Sequence, residues 1–337
     1  MKKLKFSISI LVLVLILTSI SACNSSTKER EKGEGKIKIV TTLFPQYDFA
    51  KEIVKDKAEV TLLLPPGVEA HSFEPTPQDI GNIKKADIFI YTGEYMEPWA
   101  DKMIDSIGEE SIAIVDLSKG IELMEEDDHH DHDDHDHDDH DDHDDHDDHD
   151  DHDHHHHHGG KDPHIWLDPV YAQKMIDNIV ETVVKVDKAN EDFYRENGEN
   201  YKKRLEELDE KFVEAFSKTE HKTIIYGGHF AFGYFAKRYG LDYISPYNGF
   251  TPNAEPTPKR IAELIENMEA SGIDTIYYEE LIDPKVSKII SEQTGAKMLL
   301  LHGAHNVSKE ELETGVSYID IMEENLEKLK QGLVYNE

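Results

Sequence analysis

The 337-residue sequence contains a single cysteine, Cys23, so a disulfide bond within one chain is excluded. Positive charge is also scarce, because 36 lysines and arginines stand against 71 aspartates and glutamates, a formal net charge of −35. One run of aspartate and histidine supplies 17 of the negative charges, and the remainder of the chain still carries −18. An acidic balance of this size excludes nucleic acid as a partner.

A long membrane-spanning run is missing from the amino terminus. The apolar stretch at residues 6–17 is too short to cross a bilayer comfortably, and it follows three early lysines. These features predict an export signal at residues 1–22. The signal ends in Ile-Ser-Ala-Cys23, which resembles a bacterial lipobox and implies lipid attachment at Cys23. Residues 23–35 then form a lipidated flexible tether. The alternative is an ordinary signal peptide with an incidental cysteine.

Residues 127–158 consist only of aspartate and histidine, 17 and 15 residues respectively. This run has no apolar side chain for a core, so we predict a disordered, solvated loop. Its imidazoles and carboxylates are ligands for a borderline divalent ion, which makes it a low-affinity metal loop that collects, buffers or senses such an ion. The alternative is a disordered insertion that binds metal without affecting the function of the protein. The loop histidines are His129, His130, His132, His135, His137, His140, His143, His146, His149, His152, His154, His155, His156, His157 and His158.

Short β-branched runs alternate with helical patterns on both sides of two long helical stretches. This alternation predicts an α/β fold of two parallel-sheet lobes, bridged by a long rigid helix. The amino-terminal lobe is residues 36–168, the helical connector is residues 169–218 and the carboxy-terminal lobe is residues 219–337. We also predict that Gly227-Gly228-His229 opens a helix, and that residues 309–330 form one terminal helix.

Six histidines lie outside the run: His71, His164, His221, His229, His302 and His305. His71, His229 and His305 each follow a predicted strand, on the edge where open α/β sheets place their ligands. Two sheets that face each other through this edge would bring these histidines together in a cleft between the lobes. His164 is held between two Asp-Pro pairs, which favours a positioned ligand, whereas His221 reads as a surface residue.

Several groups are candidates for the fourth ligand of this metal site. His302 and His305 follow the same predicted strand, and His305 is favoured. Glu280 is the rival, although it could instead hold His305 or another ligand from behind.

The motifs Pro-Pro-Gly-x-Glu-x-His71, Asp-Pro-His164-Ile-Trp-Leu-Asp-Pro and Gly-Gly-His229-x-Ala-Phe occur in this order around the acidic run. Together with the lipobox they closely resemble the zinc/manganese-binding lipoproteins of ABC importers. The resemblance covers the chain from residue 36 onward. It implies two lobes bridged by a helix that hinges little, and one metal ion between them. It assigns His71, His164 and His229 as ligands. His305 stands where an acidic residue is usual, which leaves His305, Glu280 or water as the fourth ligand.

The resemblance implies delivery of the ion to a membrane permease driven by a cytoplasmic ATPase. We therefore expect a monomeric extracytoplasmic receptor, lipid-anchored to the bacterial cell membrane. Three or four imidazoles favour Zn²⁺, and Mn²⁺ or iron is the alternative. Binding should weaken below about pH 6, because imidazoles bind metal only when neutral. A zinc-buffering adhesin and a zinc hydrolase are the remaining alternatives, although the chain has no His-Glu-x-x-His segment, and we expect no enzyme activity.

Overall fold

The computed structural model describes residues 35–107, 112–125, 160–247 and 256–336. The first lobe contains four strands: β1 (Ile37–Thr41), β2 (Ala58–Leu62), β3 (Ile88–Tyr91) and β4 (Ala113–Asp116). All pair in parallel, in the order β2-β1-β3-β4. Their carboxyl ends therefore share one edge of the sheet, and the loop that carries His71 leaves from this edge after β2.

Three helices cover the first sheet: α1 (Phe44–Val54), α2 (Pro77–Ile83) and α3 (Pro98–Ile107). Pro77 occupies the first turn of α2, where a missing N–H costs nothing, and Thr76 caps the helix by accepting from the Asp79 N–H. Side chains of α3 pack with Phe89 and Tyr91 on one face of the sheet. The opposite face belongs to the core that is shared with the second lobe.

Two antiparallel helices form the connector, α4 (Pro169–Val186) and α5 (Glu191–Ser217). The 27 residues of α5 span about 40 Å at 1.5 Å per residue. Gly198 of α5 lies so close to α4 that a Cβ there would be 2.6 Å from Val180 Cγ2. This glycine therefore allows the two helices to approach.

The strands of the second lobe are arranged in the same order as those of the first. Its strands are β5 (Thr223–Ile225), β6 (Asp242–Ile244), β7 (Thr275–Tyr278) and β8 (Lys297–Leu300). They form the parallel pairs β5-β6 and β7-β8, which a parallel bridge between Tyr226 and Tyr277 joins in the order β6-β5-β7-β8. The helices are α6 (Gly233–Tyr239), α7 (Pro258–Ser271), α8 (Lys285–Thr294), α9 (Lys309–Thr314) and α10 (Tyr318–Gly332).

Two helix predictions are wrong in detail. Residues 227–232 are irregular, and α6 begins only at Gly233. The expected terminal helix is two helices, because Gly315 ends α9 with a φ of +78°. Ser317 then starts α10 with a capping box in which its side chain and that of Asp320 each accept from the other's backbone N–H.

One apolar core runs from the first lobe to the second. It contains side chains of β1, α1, α4, α5, α6 and α10. Helix α5 packs against α1 of the first lobe and α10 of the second, so the connector belongs to this core along its length. The predicted α/β fold with two parallel-sheet lobes and a long bridging helix is confirmed. Among the described residues, no helix is both long and apolar enough to span a membrane.

Candidate metal centre

Four histidines from four separate segments converge between the lobes. One ligand nitrogen from each of His71, His164, His229 and His305 lies within 4.8 Å of the other three. His71 follows β2, His229 follows β5 and His305 follows β8, while His164 precedes the 3₁₀ turn Ile165–Leu167 at the start of α4. The carboxyl-end edges of the two sheets therefore face each other here, and they bring together the three histidines that the strand positions predicted.

The four imidazole rings form a nearly regular tetrahedron. The six distances between ring centroids range only from 5.0 to 5.6 Å. The centre of a tetrahedron with such edges lies about 3.2 Å from each centroid. A Zn–N bond of about 2.0–2.1 Å plus about 1.1 Å from nitrogen to ring centre gives the same length. The ring spacing therefore fits one tetrahedral Zn²⁺ with four nitrogen ligands.

Asp162 orients His164 from behind. Its Oδ1 accepts from the His164 backbone N–H at 2.9 Å and lies 2.8 Å from the ring Nδ1, so Nε2 points toward the other rings. Both residues are completely buried. Burial, reinforced by the neighbouring histidines, lowers the pKa of His164 well below its ordinary value, and burial raises the pKa of Asp162 to about 7. The buried imidazole is therefore held in its neutral, metal-binding form.

Glu279 stands behind His229 at the end of β7. Its Oε2 lies 2.7 Å from His229 Nδ1, although the two groups are not aligned as a hydrogen bond. A Cβ on Gly228 would lie 2.6 Å from Glu279 Oε1, so a larger residue there would displace this carboxylate from its place beside His229. Gly228 therefore serves close packing before His229, and the helix that the Gly-Gly pair was predicted to open begins only at Gly233.

Glu280 makes the corresponding contact with His305. Its Oε1 lies 3.1 Å from His305 Nδ1, and its Oε2 accepts from the Gly303 N–H at 2.7 Å. Burial alone would raise the pKa of Glu280, but the charges of His302 and His305 and these hydrogen bonds outweigh it and lower the pKa. The carboxylate thus faces the back of the His305 ring.

The two remaining described histidines lie outside this cluster. His302 is buried, and its Nδ1 accepts from the Ala304 N–H at 3.0 Å, so this nitrogen is engaged within its own loop. His221 is half-exposed at the surface. The predicted loop histidines 129–158 and Cys23 lie outside the described residues.

His71 closes the side of the cluster that faces outward. It is only half-buried, and its Nε2 lies 3.3 Å from His164 Nε2. A cavity of about 20 Å³ adjoins it, lined among others by Val68, His229 and Leu281, and has room for about one water molecule. Burial, followed by the charges of His305 and His229, lowers the pKa of His71. This side is the short path between the cluster and solvent.

The chemistry of the cluster favours a borderline metal. His229 Nε2 and His305 Nε2 are buried, and neither has a hydrogen-bond partner within the described part of the chain. Buried polar atoms of this kind are costly unless they bind a partner, and a divalent cation between the rings would satisfy both. Four neutral nitrogens suit Zn²⁺, whereas Mn²⁺ prefers carboxylate and other oxygen ligands.

Sequence reasoning missed some of the groups that hold these ligands in place. Asp162 bonds the residue two positions later, a local pattern of aspartate that its Asp-Pro-His sequence could have indicated. Asn306 could not have been found this way, because its side-chain partners lie 241 and 238 positions earlier in the chain.

Comparisons with known proteins find relatives whose names refer to zinc. A family model described as the periplasmic component A of the zinc-uptake complex, ZnuA, matches residues 39–332. The high-affinity zinc uptake system protein ZnuA of Bacillus subtilis (strain 168) is 42% identical over 301 residues, which cover 89% of this chain and 88% of that protein.

Two streptococcal proteins are also similar to this chain. The zinc-binding protein AdcA of Streptococcus pyogenes serotype M18 is 34% identical over 88% of this chain, and the chain spans 56% of AdcA. The structure of the Zn(II)-bound ZnuA-like domain of Streptococcus pneumoniae AdcA is 30% identical and superposes with a TM-score of 0.71. That match covers 89% of this chain and 99% of the domain.

Proposed function

Because this chain belongs to the ZnuA family of periplasmic zinc-uptake components, we propose that it is the high-affinity extracytoplasmic zinc receptor of an ABC importer. The ion is its cargo. It binds Zn²⁺ between the lobes and delivers it to a membrane permease that a cytoplasmic ATPase drives. Cys23 carries the lipid that anchors the receptor to the cell membrane.

One observation carries the zinc assignment: the near-regular tetrahedron of four imidazole rings with centroids 5.0–5.6 Å apart. His71, His164, His229 and His305 are the proposed ligands, each through Nε2. Glu280 is assigned as the partner of His305 and not as the fourth ligand, because its two oxygens face His305 Nδ1 and the Gly303 N–H. Such partners fix ring orientation and make the ligand more basic.

A receptor role, and not hydrolysis, fits a site with four protein ligands. A catalytic zinc keeps one coordination position open for water or substrate, whereas four imidazoles complete a tetrahedron. We therefore expect no turnover of ester, peptide or phosphate substrates.

The test is metal competition on the chain beginning at Asn24, with and without residues 127–158. The deletion is compatible with the fold, because Glu125 and Lys161 form an antiparallel bridge and only three residues would remain between them. Zinc and manganese are titrated against a chelating indicator. We expect one tight zinc per chain in both forms, not displaced by manganese, lost in His229→Ala and retained in the surface control His221→Ala.

The other outcomes separate the alternatives. Preference for manganese would overturn the zinc assignment and keep the receptor. Loss of tight binding on deletion of the run would place the function in the run and overturn the cleft. Growth of cells under zinc limitation tests delivery, since loss of this protein should have no further effect in cells that lack the permease. An added defect there would instead indicate a buffering or adhesin role.

A further inference from the structure

His71 is held differently from the other three histidines of the cluster. His164, His229 and His305 each have a carboxylate oxygen within 3.1 Å of Nδ1. Within the described chain, no carboxylate hydrogen-bonds to the His71 ring. This histidine lies in a loop without regular structure, which extends from the end of β2 to the start of α2. Its position therefore depends on what holds the loop backbone.

Part of that hold is local. Glu69 accepts two backbone N–H groups through its two carboxylate oxygens, from His71 at 2.7 Å and from Ser72 at 2.8 Å. These two hydrogen bonds to the Glu69 carboxylate shape the turn that carries His71. They do not attach the turn to anything else, because all three residues belong to the same loop.

Asn306 makes the attachment to the second lobe. Its Nδ2 donates to the carbonyl oxygens of Pro65 at 2.7 Å and Val68 at 2.9 Å. Its Oδ1 accepts from the Val307 N–H at 2.9 Å, and the Val307 carbonyl accepts from the Gly67 N–H at 2.9 Å. Asn306 is completely buried. Both amide hydrogens and the amide oxygen are used, and a fully satisfied buried amide fixes one geometry.

We propose that Asn306 is the positioning residue for His71 and sets the rate at which the site releases its metal. Asn306 directly follows His305, so its amide couples the segment of one ligand to the loop of another. Release requires His71 to leave, since His71 covers the outward side beside the cavity. The loop swings away only when the Asn306 hydrogen bonds break together with the backbone bond from Gly67 to Val307. This inference rests on the zinc function proposed above.

The test variant is Asn306→Leu, which keeps the side-chain size and adds no charge but removes both donors and the acceptor. Asn306→Ala replaces it if the leucine variant does not fold. The matched control is Asn325→Leu. Asn325 is also buried and also holds the loop after β8, through the His302 backbone, without touching the His71 loop.

We expect zinc release, measured by stopped-flow transfer to a chelator, to be about 10- to 100-fold faster in Asn306→Leu, the range for residues behind a metal ligand. In the metal-free protein, amide hydrogens of residues 67–72 should exchange faster. Asn325→Leu should leave exchange in these residues unchanged. Equal acceleration in both variants would show general destabilisation and overturn the proposal.

A double-mutant cycle with His71→Ala makes the test specific. If Asn306 acts through His71, zinc release from the double variant is no faster than from His71→Ala alone. If the two substitutions instead each accelerated zinc release by an independent factor, the proposal would be overturned. The exchange measurement needs no metal, so it still reports on the Asn306 contacts if the protein fails to bind zinc. Unchanged release from a chain that binds zinc tightly would refute the Asn306 role and leave the receptor intact.

Discussion

The two lobes meet on a helical face and on a metal face, and the two faces are built differently. On the helical face, α5 packs against α1 and α10 within one continuous apolar core. On the metal face, loops meet through hydrogen bonds and four histidines, with His71 in a segment that has no regular structure. Opening the helical face would expose core surface at about 25 cal/mol per Å², whereas the loops can part at the cost of a few hydrogen bonds. We therefore expect metal exchange to proceed by movement of the His71 loop and not by a hinge between rigid lobes.

The largest expected effect is the loss of zinc affinity when either of two proposed ligands on the metal face is replaced. His71→Ala should weaken zinc binding by about 10- to 100-fold, because water can take the outward position as in three-ligand zinc sites. His164→Ala should weaken it further, because this ring is completely buried and its loss leaves Asp162 without its side-chain partner. Competition with a chelating indicator measures both. Equal losses would contradict the view that His71 is the exchangeable ligand.

Substitutions on the helical face should change the free energy of unfolding and not the zinc affinity. Asp48 of α1 accepts from the Tyr201 hydroxyl and the Tyr318 N–H through the same oxygen, Oδ2. Burial raises its pKa to about 6, against these hydrogen bonds. Because the pKa of Asp48 is raised in the folded state, protonated Asp48 contributes to the free energy of unfolding at low pH. That contribution is lost as the pH rises through about 6.

Asp48→Asn can keep both hydrogen bonds through one oxygen and removes the charge. The free energy of unfolding should match that of the unchanged chain at pH 4 and exceed it by about 1–2 kcal/mol at pH 7.5, measured with urea on the metal-free protein. Tyr201→Phe is the control, because it keeps the carboxylate and removes one donor, and it should destabilise the protein at pH 7.5. A changed zinc affinity in Asp48→Asn would show that the two faces are coupled.

The smallest effect should come from backbone strain beside His305. Ala304 has a φ of +56°, a left-handed conformation that glycine adopts without steric cost. In Ala304→Gly, relief of about 1–2 kcal/mol is offset by the greater chain entropy of glycine, so the unfolding free energy should change by less than about 1 kcal/mol. The control Ala296→Gly, at a position without positive φ, should destabilise the protein by about 1 kcal/mol. A large loss of zinc affinity in Ala304→Gly alone would mean that strain positions His305.

The sequence predicted the fold and the histidine cluster for the same reason. The parallel strands of each sheet end at one edge, and the two edges face each other, so His71, His229 and His305 become neighbours in space. The failures were local. The close approach of Gly228 to Glu279 was invisible without the fold. The break in the terminal helix could have been found, because Gly315 and the Ser317-x-x-Asp320 capping box are helix stop and start signals that the sequence itself shows. Asn306 was out of reach because its partners belong to the other lobe.

The two tryptophans of the chain lie in different surroundings, Trp166 at the metal face and Trp99 in the outer cluster of the first lobe. Trp166 is buried, donates to the Gly303 carbonyl, and has its ring 5.4 Å from His164 and 5.2 Å from His305. Trp99 instead contacts Phe73, two residues beyond His71, at 6.3 Å between centroids. The protein thus carries two intrinsic fluorophores, one beside the fixed ligands and one beside the exchangeable loop. With either tryptophan replaced by phenylalanine, the emission of the other would distinguish ion capture from loop movement without any added label.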